Sequence, residues 1–571
     1  MTLKSINSKW PIFTSILNLT QPIVSNFNTP LEAFNHWLEK DPDFIFLRQP
    51  VNRKFIEYSR QDTYNQASKI AAALQKMGLK KGDHVALLSK NCAHWFMADL
   101  AIMMGGFVSV PLYPTLDKDT IAKILVHSES KAIIVGKLDD YAPQKAAIPD
   151  DLTRIGIELY GIDEQHSWEE LQKEAYPDFT PHALDPESLI TIMYTSGTTG
   201  DPKGVMHLVK SFNRVATIAF PALKQTYQKK YFSYLPLSHI AERIGGEMGS
   251  IYSGGCVSFA ESLDTFGEDL ASVNPDYFGG VPRIYQKFQE KVLEKFPQKK
   301  LDRLISIPIL GQIIKKKIRR KMGLDNAQQC YIGAAPSAVS MLEWFDKIGI
   351  NILQGYGMTE DCILSHFNVV GNNKFGTVGR PFPGVESRIS DEGELQISNG
   401  CLMVGYYKNP EKTAEMFTED GFLRTGDIGE FDEEGYLTIT GRMKDQFKTD
   451  KGKYVIPAQI ELLFYKNADI EQICVVGVGL AQPIALSVPS EAGLGKSKIY
   501  LENSILATID EINPTLMAHE KVAKAVIMKD PWTVENGLMT PSLKIRRPKV
   551  EALHSDMYQT WYHKEEKCIH Q

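Results

Sequence analysis

Ten consecutive residues, Thr195-Ser-Gly-Thr-Thr-Gly-Asp-Pro-Lys-Gly204, hold four hydroxyl side chains, three glycines and one lysine. Glycine has no Cβ, so the backbone N–H groups around Gly197 and Gly200 can come close to phosphate oxygens. The hydroxyls of Thr195, Ser196, Thr198 and Thr199 can donate to the same oxygens, and Lys203 supplies positive charge. The stretch is not a Walker A loop, because Pro202 stands where the glycine before the lysine belongs. Composition alone would equally describe a surface turn. Ten positions in this order are far more specific, and they point to phosphate held by backbone and hydroxyl donors.

Other chemistry-bearing residues are ambiguous one by one. Thr359-Glu360 offers a carboxylate for a hard cation, or simply the start of a helix. Thr425-Gly-Asp427 alone reads as a turn. Lys544, beside Arg546 and Arg547, reads as a solvated basic patch. His239 is a ligand-facing residue or a hydrogen-bonded core histidine.

The elements that must position these groups come from hydrophobic periodicity. Residues 62–77 carry apolar or small side chains at helical spacing, and residues 85–88 and 132–135 are short apolar runs. This alternation predicts βα units around a mostly parallel sheet. Residues 189–194 read as a strand running into the phosphate loop, and residues 205–219 as a helix leaving it, a strand–loop–helix context for phosphate. From about Gly379, turn signals crowd together and short strands are expected at 394–397 and 436–439, a β-rich subdomain. Mixed patterns follow, including 473–478 and 498–513. The boundary is placed at Arg442, giving units 1–441 and 442–571.

Bulk properties exclude several classes. The net charge of −6 on 571 residues gives no general attraction to nucleic acid or anionic membrane. Seven cysteines without C-x-x-C spacing read as reduced thiols in a cytosol rather than a zinc or disulfide framework. No signal-peptide pattern is read at the N-terminus. The longest apolar run, residues 100–113, is interrupted by Gly105, Gly106, Ser109 and Pro111 and falls short of the ~20 residues of a spanning helix.

Residues 194–205 resemble the signature of the adenylate-forming superfamily, and four further stretches match its motifs in order. They are Gln354-Gly-Tyr-Gly-Met-Thr-Glu360, Leu423-Arg-Thr-Gly-Asp-Ile-Gly429, Gly441-Arg-Met-Lys-Asp445 and Thr540-Pro-Ser-Leu-Lys544. The resemblance spans residues 30–550. It implies an α/β fold: a large N-terminal domain of two α/β subdomains plus a β-barrel-like one, and a small mobile α+β C-terminal domain. It also implies two steps, attack of a carboxylate on the α-phosphate of ATP to give acyl-AMP, then thioester formation with coenzyme A. By the same resemblance Thr359 binds the α-phosphate, Glu360 holds Mg²⁺, and Tyr356, with Gly357 beside it, packs on the adenine. Gly333-Ala334-Ala335-Pro336 lines that ring. Asp427 and Arg442 meet the ribose, Lys544 bridges the two reacting anions, Lys444 is the hinge, and Lys448 is a further nucleotide contact.

Ser233-Tyr-Leu-Pro-Leu-Ser-His-Ile-Ala-Glu-Arg243, Gly280-Val-Pro-Arg-Ile-Tyr285 and residues 447–455 resemble the long-chain fatty acyl-CoA synthetase branch, with His239 near the acyl site. The Thr-His-x-Asn usual after the loop is altered to His207-Leu-Val-Lys-Ser-Phe-Asn213. The expected activity is therefore a medium- to long-chain fatty acid–CoA ligase. Two alternatives remain open. One is an adenylating enzyme delivering to a carrier protein, freestanding because only 27 residues follow Lys544. The other is a binding protein without turnover. Residues 307–321 are basic and amphipathic, with Ile309, Ile313, Ile314 and Ile318 on one helical face. A peripheral membrane contact and a solvated helix packed on the large domain are both open readings of that stretch.

Overall fold

The computed structural model describes residues 23, 26–196, 202–540 and 544–571. Two large sheets dominate. The first has eight strands. Its parallel part comprises Leu189–Ser196, Val108–Leu112, His84–Leu88, Ala132–Val135, Thr153–Gly156 and His166–Ser167. All four residues of Ala132–Val135 are buried, as a strand covered on both faces requires. The second sheet has nine strands, with a parallel centre that includes Tyr277–Gly280, Gln329–Ile332 and Ile352–Tyr356. The helix Ala93–Met104 has all twelve residues buried and belongs to a hydrophobic cluster that draws side chains from both sheets. The helix expected over 62–77 spans Arg60–Lys76, started by a capping box between Ser59 and Asp62.

One expectation is overturned. The phosphate stretch does not lead from a strand into a helix. Pro202–Leu208 is a strand, paired antiparallel with Leu189–Ser196 in a register that sets Tyr194 opposite Gly204 and Thr195 opposite Lys203. The helix starts only at Val209 and runs to Ala222. Residues 205–208 alternate in burial, Val205 and His207 inward, which is strand periodicity. The described strands on either side of the loop therefore pair with each other, and the helix begins only after the second of them.

The β-rich region is a four-stranded antiparallel sheet, ordered Glu386–Ile389, Glu394–Ser398, Leu423–Phe431, Leu437–Arg442. Beyond it, Ile470–Val476, Ile484–Pro489, Lys524–Ile527 and Cys568–His570 form a separate sheet with hydrophobic clusters on residues 447–569. Residues 498–512 form one helix, capped by Ser497. Among the described residues no helix is long and apolar enough to cross a membrane.

The basic stretch is a helix from Leu310 to Met322, but its isoleucines do not share a face as expected. Ile314 and Ile318 pack into the cluster around the second sheet, whereas Ile309 and Ile313 face solvent.

Candidate active site

Strand ends bring the motif residues together. Tyr356 closes the strand Ile352–Tyr356, and its hydroxyl donates to Asp427 Oδ2 at 2.6 Å. Asp427 lies opposite Arg442 in the antiparallel pair, and the Arg442 Nε sits 2.9 Å from Asp427 Oδ1. One carboxylate therefore orients a phenol and a guanidinium. A carboxylate has about four lone-pair sites, so two stay open for hydroxyls. Burial and the adjacent Asp427 push the Tyr356 phenol well above its ordinary value.

After Tyr356 the chain turns sharply. A Cβ on Gly357 would lie 2.7 Å from the Ile363 Cα, and Cys362 and Ile363 both hold positive φ. Two non-glycine residues in that region store backbone strain beside Glu360, a pattern that favours a site over a plain turn. Ala334, just past the strand Gln329–Ile332, is also at φ 67, with Ala334, Ala335 and Pro336 exposed and Gly333 close against the Gly355 carbonyl.

Two residues to which the sequence assigned no role fix the turn. His207, fully buried, donates from Nε2 to the Thr359 carbonyl at 2.7 Å, and burial pushes its pKa down to about 4. Tyr406, in a two-residue strand paired with Val205 and Met206, donates its hydroxyl to Glu360 Oε1 at 2.8 Å. The Lys203 ammonium stands 5.3 Å from the centroid of the same Tyr406 ring. Tyr406 thus touches both the candidate metal carboxylate and the candidate phosphate lysine. The signal that could have found it is Gly405-Tyr-Tyr, an aromatic pair after a glycine. Burial and the cations Lys412 and Lys444 lower the Lys203 ammonium.

Lys544 comes from the C-terminal unit. Thr540 and Lys544 exchange hydrogen bonds, the Lys544 N–H to Thr540 Oγ1 at 3.0 Å and the Thr540 N–H to the Lys544 carbonyl at 2.8 Å. The Lys544 ammonium comes within electrostatic reach of Arg442, Asp427 and Glu360. Burial and then Arg442 push it down to about 8 against the pull of the two carboxylates. His239 also comes within electrostatic reach of Lys544. Its Nδ1 accepts from the Ala241 N–H at 3.2 Å, and burial and then Lys544 push it down to about 4. Four residues on, the buried Arg243 donates to both Asp99 oxygens at 2.7 Å and to Thr191 Oγ1 at 2.7 Å, tying this stretch to the strand that enters the phosphate loop. Across the two units Arg283 pairs with Glu471.

Not every candidate converges. Lys448 is exposed, with its ammonium over the Tyr454 ring at 4.8 Å, and it takes no part in the Asp427–Arg442–Lys544 cluster. Thr195 and Lys203 flank the hairpin turn, and Ser196 ends its first strand. Gly197, Thr198, Thr199 and Gly200 lie outside the described residues, as do Pro541, Ser542 and Leu543 of the terminal motif.

Glu360 fits a hard divalent cation: a carboxylate 8% exposed, one oxygen fixed by Tyr406. Among the described residues no cluster of three His, Cys, Asp or Glu side chains could hold a metal by itself. A single carboxylate completed by phosphate oxygens and waters is the arrangement Mg²⁺ accepts.

Known proteins resemble this chain along most of its length. "Long chain acyl-CoA synthetase 7, peroxisomal" of Arabidopsis thaliana is 28% identical over 97% of this chain and 90% of its own length. "Long-chain-fatty-acid--CoA ligase FadD15" of Mycobacterium tuberculosis is 26% identical over 94% of this chain and 97% of its own. The crystal structure of the adenylation domain of a carboxylate reductase from Mycobacterium chelonae shares the fold, with a TM-score of 0.77, 23% identity, and coverage of 96% of this chain and 94% of that one. Residues 444–566 match the AMP-binding enzyme C-terminal domain, and residues 34–407 match the AMP-binding enzyme family, to which this chain belongs.

Proposed function

We propose that this chain is an ATP-dependent fatty acid–CoA ligase acting through an acyl-AMP intermediate. The observation that carries the reading is the delivery of Lys544 from the C-terminal unit into the cluster of Glu360, Asp427 and Arg442. An ammonium there meets two anions, the fatty carboxylate and the α-phosphate, that otherwise repel. The relatives named as long-chain acyl-CoA ligases support the substrate class.

In the first step a carboxylate oxygen attacks the α-phosphorus, the bond to the bridging oxygen breaks, and diphosphate leaves. Lys203 and the 195–200 loop hold the phosphates, Thr359 meets the α-phosphate, and Asp427 and Arg442 fix the ribose. Tyr356 and residues 333–336 form the adenine wall. A Mg²⁺ on Glu360 would neutralise phosphate charge. Little covalent work falls to the protein, so positioning and charge dominate. In the second step the coenzyme A thiolate attacks the acyl carbon and AMP leaves. We place the unit boundary at Arg442 and the pivot at Lys444, which sits in the short turn Met443–Asp445 between sheets. A pivot needs only a few residues to change backbone angles.

The test is AMP and diphosphate release across carboxylic acids of graded chain length, with and without coenzyme A. The ligase reading requires AMP release that depends on both a fatty acid and coenzyme A. Accumulation of acyl-AMP with coenzyme A present would favour a carrier-protein acceptor, and absence of diphosphate release would favour a binding protein.

A further inference from the structure

The helices Gln298–Ile305 and Leu310–Met322 pack together as a hairpin. Residues 295–321 hold ten Lys or Arg and one acid, Asp302, a net of +9 in a chain whose total is −6. Arg319 and Arg320 share Asp325. Among the described residues Lys299, Lys300, Lys316 and Lys317 have no acidic partner, and all four are exposed.

Apolar residues of the hairpin fall into two sets. Leu301, Ile318 and Met322 are buried in the cluster beneath the second sheet, with Ile305 and Ile314 packed against it. These account for how the hairpin is held. Ile307, Ile309, Leu310 and Ile313 are 45, 79, 41 and 59% exposed and crowd the tip. They contribute little to holding the fold.

The tip backbone is unusual. The Leu310 N–H donates to the Pro308 carbonyl at 2.7 Å across Ile309, which sits at φ 66, ψ −59. This is the strained hand of γ-turn, and a β-branched residue there is a genuine outlier. The strain turns the most exposed isoleucine of the hairpin outward. At Gly311 a Cβ would lie 2.2 Å from the Ile305 carbonyl oxygen, so the two helices meet with no room for a side chain.

We propose that this tip is a membrane-docking surface whose partner is an anionic phospholipid bilayer. The four aliphatic side chains enter the acyl boundary, and the surrounding lysines lie at the level of headgroup phosphates. The tip carries no aromatic residue on which a base could stack, which disfavours a single-stranded nucleic acid. A second copy of this chain would bring like charges together. The inference does not depend on catalysis, since docking needs neither ATP nor acyl substrate.

The experiment is co-sedimentation of the full chain with phosphatidylcholine vesicles and with vesicles containing phosphatidylglycerol, at low and high salt. Retention on the anionic vesicles should exceed that on neutral ones by about tenfold and fall as salt rises. The pair Ile309→Asp and Ile313→Asp should lower it about tenfold, as should Lys316→Glu with Lys317→Glu. Ile309→Gly serves as the folding control: it relieves the positive φ, so thermal stability should rise while vesicle retention falls a few-fold. Failure of the wild-type chain to bind anionic vesicles overturns the proposal. So does unchanged retention in all these variants, or capture of an oligonucleotide or an acidic peptide in place of vesicles.

Discussion

In the cleft Arg442 stands 2.9 Å from Asp427, and Lys544 is surrounded by Arg442, Asp427 and Glu360. In the 298–322 hairpin Lys316 and Lys317 face water beside exposed isoleucines. Both regions are cationic, yet they handle charge in opposite ways. The cleft pairs Arg442 with a buried carboxylate, Asp427, while leaving 55% of the arginine side chain exposed, and burial lowers the proton affinity of Lys544. The hairpin leaves its cations hydrated on long stems and fixes only the apolar residues beneath them. Charge paired with a buried carboxylate suits a single small anion, whereas unpaired solvated charge suits a broad anionic surface.

The largest expected effect would break the cleft side of this comparison. Lys544→Ala should lower acyl-AMP formation by about 10³-fold, the scale of losing a key charge donor. Thioester formation from supplied acyl-AMP should stay within about tenfold, since a hinged enzyme makes that step in another arrangement. Equal loss of both half-reactions would remove Lys544 from its assigned place.

Tyr406→Phe comes next. It deletes the donor to Glu360 while keeping the ring under Lys203. Second-layer partners of metal ligands typically contribute 10–100-fold in affinity, so Mn²⁺ binding measured by water-proton relaxation should weaken by about tenfold. Unchanged binding would make Tyr406 a packing residue only.

A smaller effect concerns pH. With its pKa lowered to about 8, Lys544 in the ligand-free cleft loses its charge as pH rises through about 8. Its attraction for phosphate is present below that value and lost above it. The apparent KM for ATP should therefore rise by about fivefold between pH 8 and 9. In Lys544→Arg, which stays charged, the same span should be flat even if the rate is low. A steep limb in the arginine variant would assign the titration to another group.

Much of the fold was legible in the residues. Ala132–Val135 is a continuous apolar run because both sheet faces are covered. A common site for Tyr356, Asp427, Arg442 and Lys544 was what the resemblance to the adenylate-forming superfamily implied, not something their spacing encodes. The strand Pro202–Leu208 did not, because Val205, Leu208, Val209 and Phe212 also satisfy helical spacing, and short apolar runs fit either period. The roles of His207 and Tyr406 arise across separations of 152 and 46 residues, which no local spacing encodes. At about 100° per residue a helical wheel sets Ile309 and Ile313 apart from Ile314 and Ile318, so the shared face read from 307–321 joined residues that the helix separates.

The Arg283–Glu471 bridge spans the large unit and the C-terminal sheet. On the proposed pivot it exists in the arrangement that presents Lys544 and must part before the other arrangement is reached. It therefore behaves as a latch on a revolving door: every turnover opens it once and closes it once. Its strength sets how long the door dwells on the adenylating side. Because both partners are partly in water, that dwell time, and with it the cadence of the whole cycle, should shorten as ionic strength increases.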